Sequence, residues 1–90
     1  MTRRPRKKRE VSPEVQAFQV ALGQRVRELR KPKYSQDEFA AEVDVFRSHM
    51  GTIEQGKSDL RLSTLLRIAA ALGMTVSELL DLSVKGGGLE

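Results

Sequence analysis

Arg47, Ser48, Gly51 and Thr52 are the residues whose types and spacing could do chemistry, and the chemistry they fit is hydrogen bonding to another molecule. On a helix advancing about 100° per residue from Arg47, Met50 falls at about 300° and Ile53 at about 240°. The buried direction is then roughly 270°, which leaves Ser48 and Gly51 on the opposite face, flanked by Arg47 and Thr52. His49 and Glu54 lie near the two borders. An arginine fork beside short hydroxyl groups, on a helix held by only two apolar side chains, suits a surface that reaches into a groove. The plainer alternative is a solvated helix face.

Bond-breaking chemistry finds little support. His49, the only histidine, is next to Ser48, but neighbours on a helix point about 100° apart and do not form a nucleophile and base pair alone. One histidine without cysteine falls short of the usual ligand count for a transition metal. The carboxylates are scattered as capping and solvating groups, and no glycine-rich phosphate loop follows a strand. The chain therefore reads as a non-enzyme with no cofactor and no metal, and His49 as a border residue that contacts phosphate or packs on the core edge.

The elements that must position these residues are visible as helix starts and stops. Ser35 with Glu38 is a capping box, so a helix starts at Gln36 and buries Phe39, Ala40 and Val43. Asp44 sits where the chain must turn and tolerates a left-handed backbone; Gly56 is the stop for a following helix over about 46–55. Upstream, Ser12-Pro13-Glu14 is a cap, a proline at the first helical position and an early acid. That first helix runs to about Arg30, and Val15, Phe18, Leu22, Val26 and Leu29 form its core stripe, with Arg25, Arg27, Arg30 and Lys31 left polar. Downstream, Ser63 caps a fourth helix whose Leu65, Leu66, Ile68, Ala69 and Leu72 are core. Thr75 with Glu78 opens a short fifth one. Val76 and Leu79 close the core, leaving Leu80, Leu82 and Val84 for a two-fold partner, or else as scattered exposed aliphatics.

Taken in order from about Leu22 to Leu80, Ser35-Gln36 with Glu38 and Ala40, Ile53-Glu54, Gly56-Lys57, LLRIAAALG and VSELL resemble the phage-repressor-type helix-turn-helix family. It is often called the XRE family and includes phage repressors and restriction-modification controller proteins. The resemblance implies an all-α, compact five-helix domain whose recognition helix, about 46–55, lies in the major groove. It implies that Arg47, Ser48 and Thr52 face base edges, with Gly51 on the same face, while Gln36 and the loop after Gly56 touch phosphates. In that loop Lys57 and Arg61 supply charge and Ser58 a hydroxyl. The resemblance also implies that Arg30 pairs with Glu54 in a partly buried bridge. The chain departs from the family pattern at three places. The segment before Ser35 is about one residue short and carries Tyr34, Asp44 replaces the common Gly, and Phe46 stands where a capping Thr, Ser or Asp is usual. The recognition helix is then less well capped, or its start is shifted.

Ninety residues bound the answer to one small domain with one modest core, without a large enzyme cleft. No apolar run is long enough for a membrane span or a secretory signal, which makes cytoplasmic the default expectation, and the resemblance implies a bacterial or phage-encoded protein associated with the nucleoid. Net charge is +4, but Arg3, Arg4, Arg6, Lys7, Lys8 and Arg9 hold six of the sixteen cations, leaving ten against twelve acids elsewhere. Residues 1–10 read as a disordered basic arm that meets phosphates or enters a minor groove, against the alternative of a solubilising tail. Residues 11–84 form the domain and 85–90 a flexible tail. The function expected is a sequence-specific transcriptional regulator binding double-stranded DNA as a homodimer on a palindromic operator, with RNA polymerase as a candidate protein contact. The alternative is a protein-interaction module of the same fold, an antitoxin-like or bridging-factor-like subunit holding a toxin or another protein.

Overall fold

The computed structural model describes residues 12–82, which form five α-helices and, among the described residues, no strand. The helices are α1 (Pro13–Arg30), α2 (Gln36–Val43), α3 (Arg47–Glu54), α4 (Leu62–Leu72) and α5 (Val76–Leu80). Residues 1–10 and 85–90, read above as an arm and a tail, lie outside the described residues, as does Val84.

Local signals account for most of the helix ends. The Ser12 hydroxyl accepts from the Val15 N–H at 3.2 Å, with proline following at the start of α1. Both capping boxes are reciprocal. Ser35 accepts from the Glu38 N–H at 3.1 Å while the Glu38 carboxylate accepts from the Ser35 N–H at 2.8 Å, and Thr75 with Glu78 repeats the pattern. Asp44 ends α2 in the left-handed region at φ 67°, the one non-glycine residue with positive φ among those described. Gly56 does the same after α3 at φ 78°.

Val26, Phe39, Val43, Met50, Ile68 and Leu79 are the large, fully buried side chains, so every helix gives at least one residue to a single core. α1 lies across α3, α4 and α5, and α2 packs on α3 and α4. The closest approach is at Gly23, where a Cβ would collide with the backbone carbonyls of Ile53 and Glu54. Gly23 therefore lets α1 sit directly on the C-terminal end of α3.

Three sequence expectations are corrected. Val15 and Phe18 are 49% and 44% exposed, because they line an open apolar groove with Leu60, Leu65 and Leu80 that no other part of the described chain fills. Leu66 is 54% exposed: it stands two positions from buried Ile68, a rotation of about 200° around the helix. α4 is capped at Arg61, without a side-chain cap bond, because the Leu65 N–H already bonds the Arg61 carbonyl at 3.0 Å; Ser63 lies inside the first turn. Arg25 has more than the solvated role expected of it. Its Nε and Nη2 donate to the carbonyls of Leu79 and Glu78 at 2.9 and 3.0 Å, closing the end of α5. The short α1–α2 link works likewise on α4, with Tyr34 Oη donating to the Ala71 carbonyl at 3.3 Å and Lys33 Nζ to that of Leu72 at 3.4 Å.

Candidate nucleic-acid interface

Two apolar anchors and one charged one fix the direction in which α3 points. Met50 and Ile53 are buried, and Glu54 beside them is only 8% exposed. The Glu54 carboxylate accepts three hydrogen bonds: from Arg30 Nε at 2.6 Å, from Arg30 Nη2 at 3.0 Å and from Gln36 Nε2 at 3.1 Å. Arg30 Nη1 donates to the Tyr34 carbonyl at 3.1 Å. This two-pronged bridge ties α1, α2 and α3 together, and a planar guanidinium fits it in a way that an ammonium would not. The bridge is buried on both sides, more deeply than the partly buried pair expected.

The opposite face of α3 carries the residues singled out by spacing. Arg47 and Ser48 are exposed, Gly51 and Thr52 half-buried. The Thr52 hydroxyl donates to the Ser48 carbonyl at 3.0 Å, so towards any other group its oxygen can act only as an acceptor. Gln36 stands over Gly51 with one amide proton committed to Glu54, which holds the start of α2 and the middle of α3 at a fixed separation. His49 is exposed, and its Nε2 shares a hydrogen bond of 3.2 Å with Ser58 Oγ, joining the loop after α3 to α3 itself. Lys57 and Arg61 on that loop are exposed. Leu80 and Leu82 are half-buried against the core, and the basic residues Arg3 to Arg9 lie outside the described region.

Three residues at this face were not singled out by sequence reasoning as groups that act there. Asp37 Oδ1 accepts from Arg47 Nε at 2.8 Å in a solvent-exposed pair. Arg67 joins Asp44, Phe46, His49 and Arg61 around a polar cleft of about 510 Å³ between the turn and α4. Phe46, noted in the sequence only as a missing cap, is 83% exposed. The signals were present in part: Asp37 sits in the first turn of α2, ten residues before Arg47, but only the fold brings the two together.

A short helix so anchored, with a guanidinium, hydroxyl groups and a close backbone turned outward and cations on the adjoining loop, can enter a duplex groove and bond both bases and phosphates. Among the described residues no group of His, Asp or Glu could hold a metal ion, and no helix is long and apolar enough to cross a membrane.

Comparison with known proteins agrees with this geometry. Residues 21–82 match the family model described as a helix-turn-helix domain. The chain is 41% identical over 64 residues to the control protein C.MunI of a Mycoplasma species, covering 69% of this chain and 86% of that protein. It is 34% identical over 71 residues to the control protein C.BamHI of Bacillus amyloliquefaciens, covering 77% and 88%. Among solved structures it is similar to the restriction-modification controller protein C.AhdI of Aeromonas hydrophila, with a TM-score of 0.67 and 38% identity over 70% of this chain and 97% of that one.

Proposed function

The chain belongs to the helix-turn-helix family of DNA-binding transcriptional regulators, and from that premise we propose that it acts as a homodimer on a palindromic operator with α3 in the major groove. The observation that carries the reading is the division of α3. Met50, Ile53 and Glu54 are spent on holding the helix, while Arg47, Ser48, Gly51 and Thr52 lie on the other face, with the two Nη groups of Arg47 left for base edges beside the Nε paired with Asp37. Arg47 supplies the planar fork suited to the O6 and N7 acceptors of guanine. Gln36, His49, Lys57, Ser58 and Arg61 hold phosphates on either side, and the basic residues 3–9 add sequence-blind contacts.

Pairing is supported by an apolar groove of about 340 Å³ lined by Val15, Phe18, Leu22, Leu60, Leu65 and Leu80. A two-fold partner covering it would set recognition helices in successive major grooves, with half-sites about 10 bp apart or a multiple of that. Because C.AhdI is named as a restriction-modification controller, the promoter of a restriction-modification operon is the first natural DNA to test, in the cytoplasm of a bacterial host. Selection of bound duplexes from a random pool tests the reading and yields the operator. Tight, salt-sensitive binding to one two-fold-symmetric sequence over random DNA is the expected result; weak binding without preference, with a polymerase, toxin or other protein co-purifying, would favour a protein-interaction module instead.

A further inference from the structure

Phe46 breaks two rules of local chemistry at once. α1, α2 and α5 each begin on a hydroxyl that accepts from the first turn, at Ser12, Ser35 and Thr75, whereas α4, like α3, begins without a side-chain cap, at Arg61. α3 begins on Phe46, which has extended backbone at φ −70° and ψ 149° and provides no side-chain cap. Phe46 is 83% exposed, more than any other exposed large hydrophobic residue among those described. The fold needs neither feature. The backbone carbonyl of Phe46 accepts from the Met50 N–H at 2.9 Å, a bond any residue type would make, and Ser or Asp there would add a cap.

Position says what the ring meets. Phe46 directly precedes Arg47, at the end of α3 whose first residues contact base edges in helix-turn-helix proteins. It borders the polar cleft lined by His49, Arg61 and Arg67 together with the carboxylates Asp44 and Asp59. In a major groove lined by hydrogen-bonding edges, the apolar feature offered to a phenyl ring is the C5-methyl of a pyrimidine. Wedging between base steps is the mode of proteins that enter the minor groove, so a ring carried by a major-groove helix meets base edges instead.

We propose that Phe46 is a specificity-determining residue that packs on a pyrimidine C5-methyl group, beside the base pair contacted by Arg47. This rests on the reading of α3 as the major-groove helix. Thymine and 5-methylcytosine both carry that methyl, and the test separates them.

The experiment uses the full chain and the duplex selected from the random pool, with each thymine replaced singly by deoxyuridine, which removes the methyl alone. Wild type should lose about fourfold in affinity at one position per half-site, the factor corresponding to about 0.8 kcal/mol for one buried CH2-sized group. Phe46→Ala and Phe46→Ser should bind the parent duplex more weakly and show no further loss at that deoxyuridine. Phe46→Ser should also melt at a higher temperature than wild type, since it regains the cap, so its loss of binding cannot come from misfolding. At the same position, a gain on 5-methylcytosine over cytosine that needs Phe46 extends the contact to methylated DNA; no gain assigns it to thymine. Wild type indifferent to every deoxyuridine, or Phe46→Ala keeping the full deoxyuridine penalty, overturns the proposal while an Arg47→Ala effect on one base pair leaves the major-groove reading standing. A selection that returns no preferred duplex overturns both.

Discussion

Replacing Glu54 with Ala removes the acceptor of three hydrogen bonds and leaves a guanidinium whose side chain is only 9% exposed. Breaking a buried pair from one side costs about 3–5 kcal/mol, because the surviving charge stays buried without its partner. Arg30 keeps its bond to the Tyr34 carbonyl, which places the expected loss at the lower end, about 3 kcal/mol. For a domain of this size that lowers Tm by about 12–24 °C. Glu54→Gln keeps one acceptor oxygen and nearly the same shape, so it should lose less. Replacing the pair together, Arg30→Met with Glu54→Leu, removes both charges and should return stability close to wild type. That double variant still frees Gln36 from its anchor and should bind DNA less well than its stability implies. The assay is urea and thermal denaturation followed by far-ultraviolet circular dichroism, with the denaturant slope checked for constancy. A wild-type midpoint in Glu54→Ala would refute the reasoning, since it would mean that the bridge contributes nothing to holding α3.

Other consequences are sharper in sign than in size. Asp44→Gly should stabilise the fold by about 1 kcal/mol, because glycine adopts the left-handed conformation without the Cβ penalty; an unchanged or lowered urea midpoint would contradict this. Gly23→Ala should unfold or strongly destabilise the chain, since its Cβ meets backbone carbonyls rather than a movable side chain; near-native melting would show that α1 can shift off α3. Val15→Asp with Phe18→Asp, both exposed in the apolar groove, should give folded monomers by sedimentation, and a wild type that is monomeric both free and on DNA would refute the pairing. Deleting residues 1–9 should weaken operator and random DNA alike and flatten the salt dependence by about 0.9 per lost phosphate contact; an unchanged slope would leave that segment no role on DNA.

The helix-turn-helix was legible because its signals are local. A capping box states where α2 begins, Asp44 tolerates the turn, and a two-residue apolar stripe gives the outward face of α3 by angle alone. The Arg30–Glu54 bridge was reachable only through family likeness, since twenty-four residues separate the partners. What failed was the inference from periodicity to burial. Val15, Phe18 and Leu66 are apolar at helical spacing, yet burial requires a neighbouring helix at that place, and spacing within one helix does not supply it. The start of α4 was misplaced because Ser63 is a good cap by type, whereas Arg61 opens the helix through its backbone. The Asp37–Arg47 pair depends on how α2 and α3 cross, which no local pattern encodes.

The central claim is that α3 reads sequence through Arg47. Its most direct test is a titration of wild type and Arg47→Ala against the selected duplex and random DNA at several salt concentrations. Arg47→Ala should lose about 1–3 kcal/mol on the selected duplex and relax the preference at one base pair, with a much smaller loss on random DNA. Equal losses on the two DNAs would make Arg47 a phosphate clamp and contradict the claim.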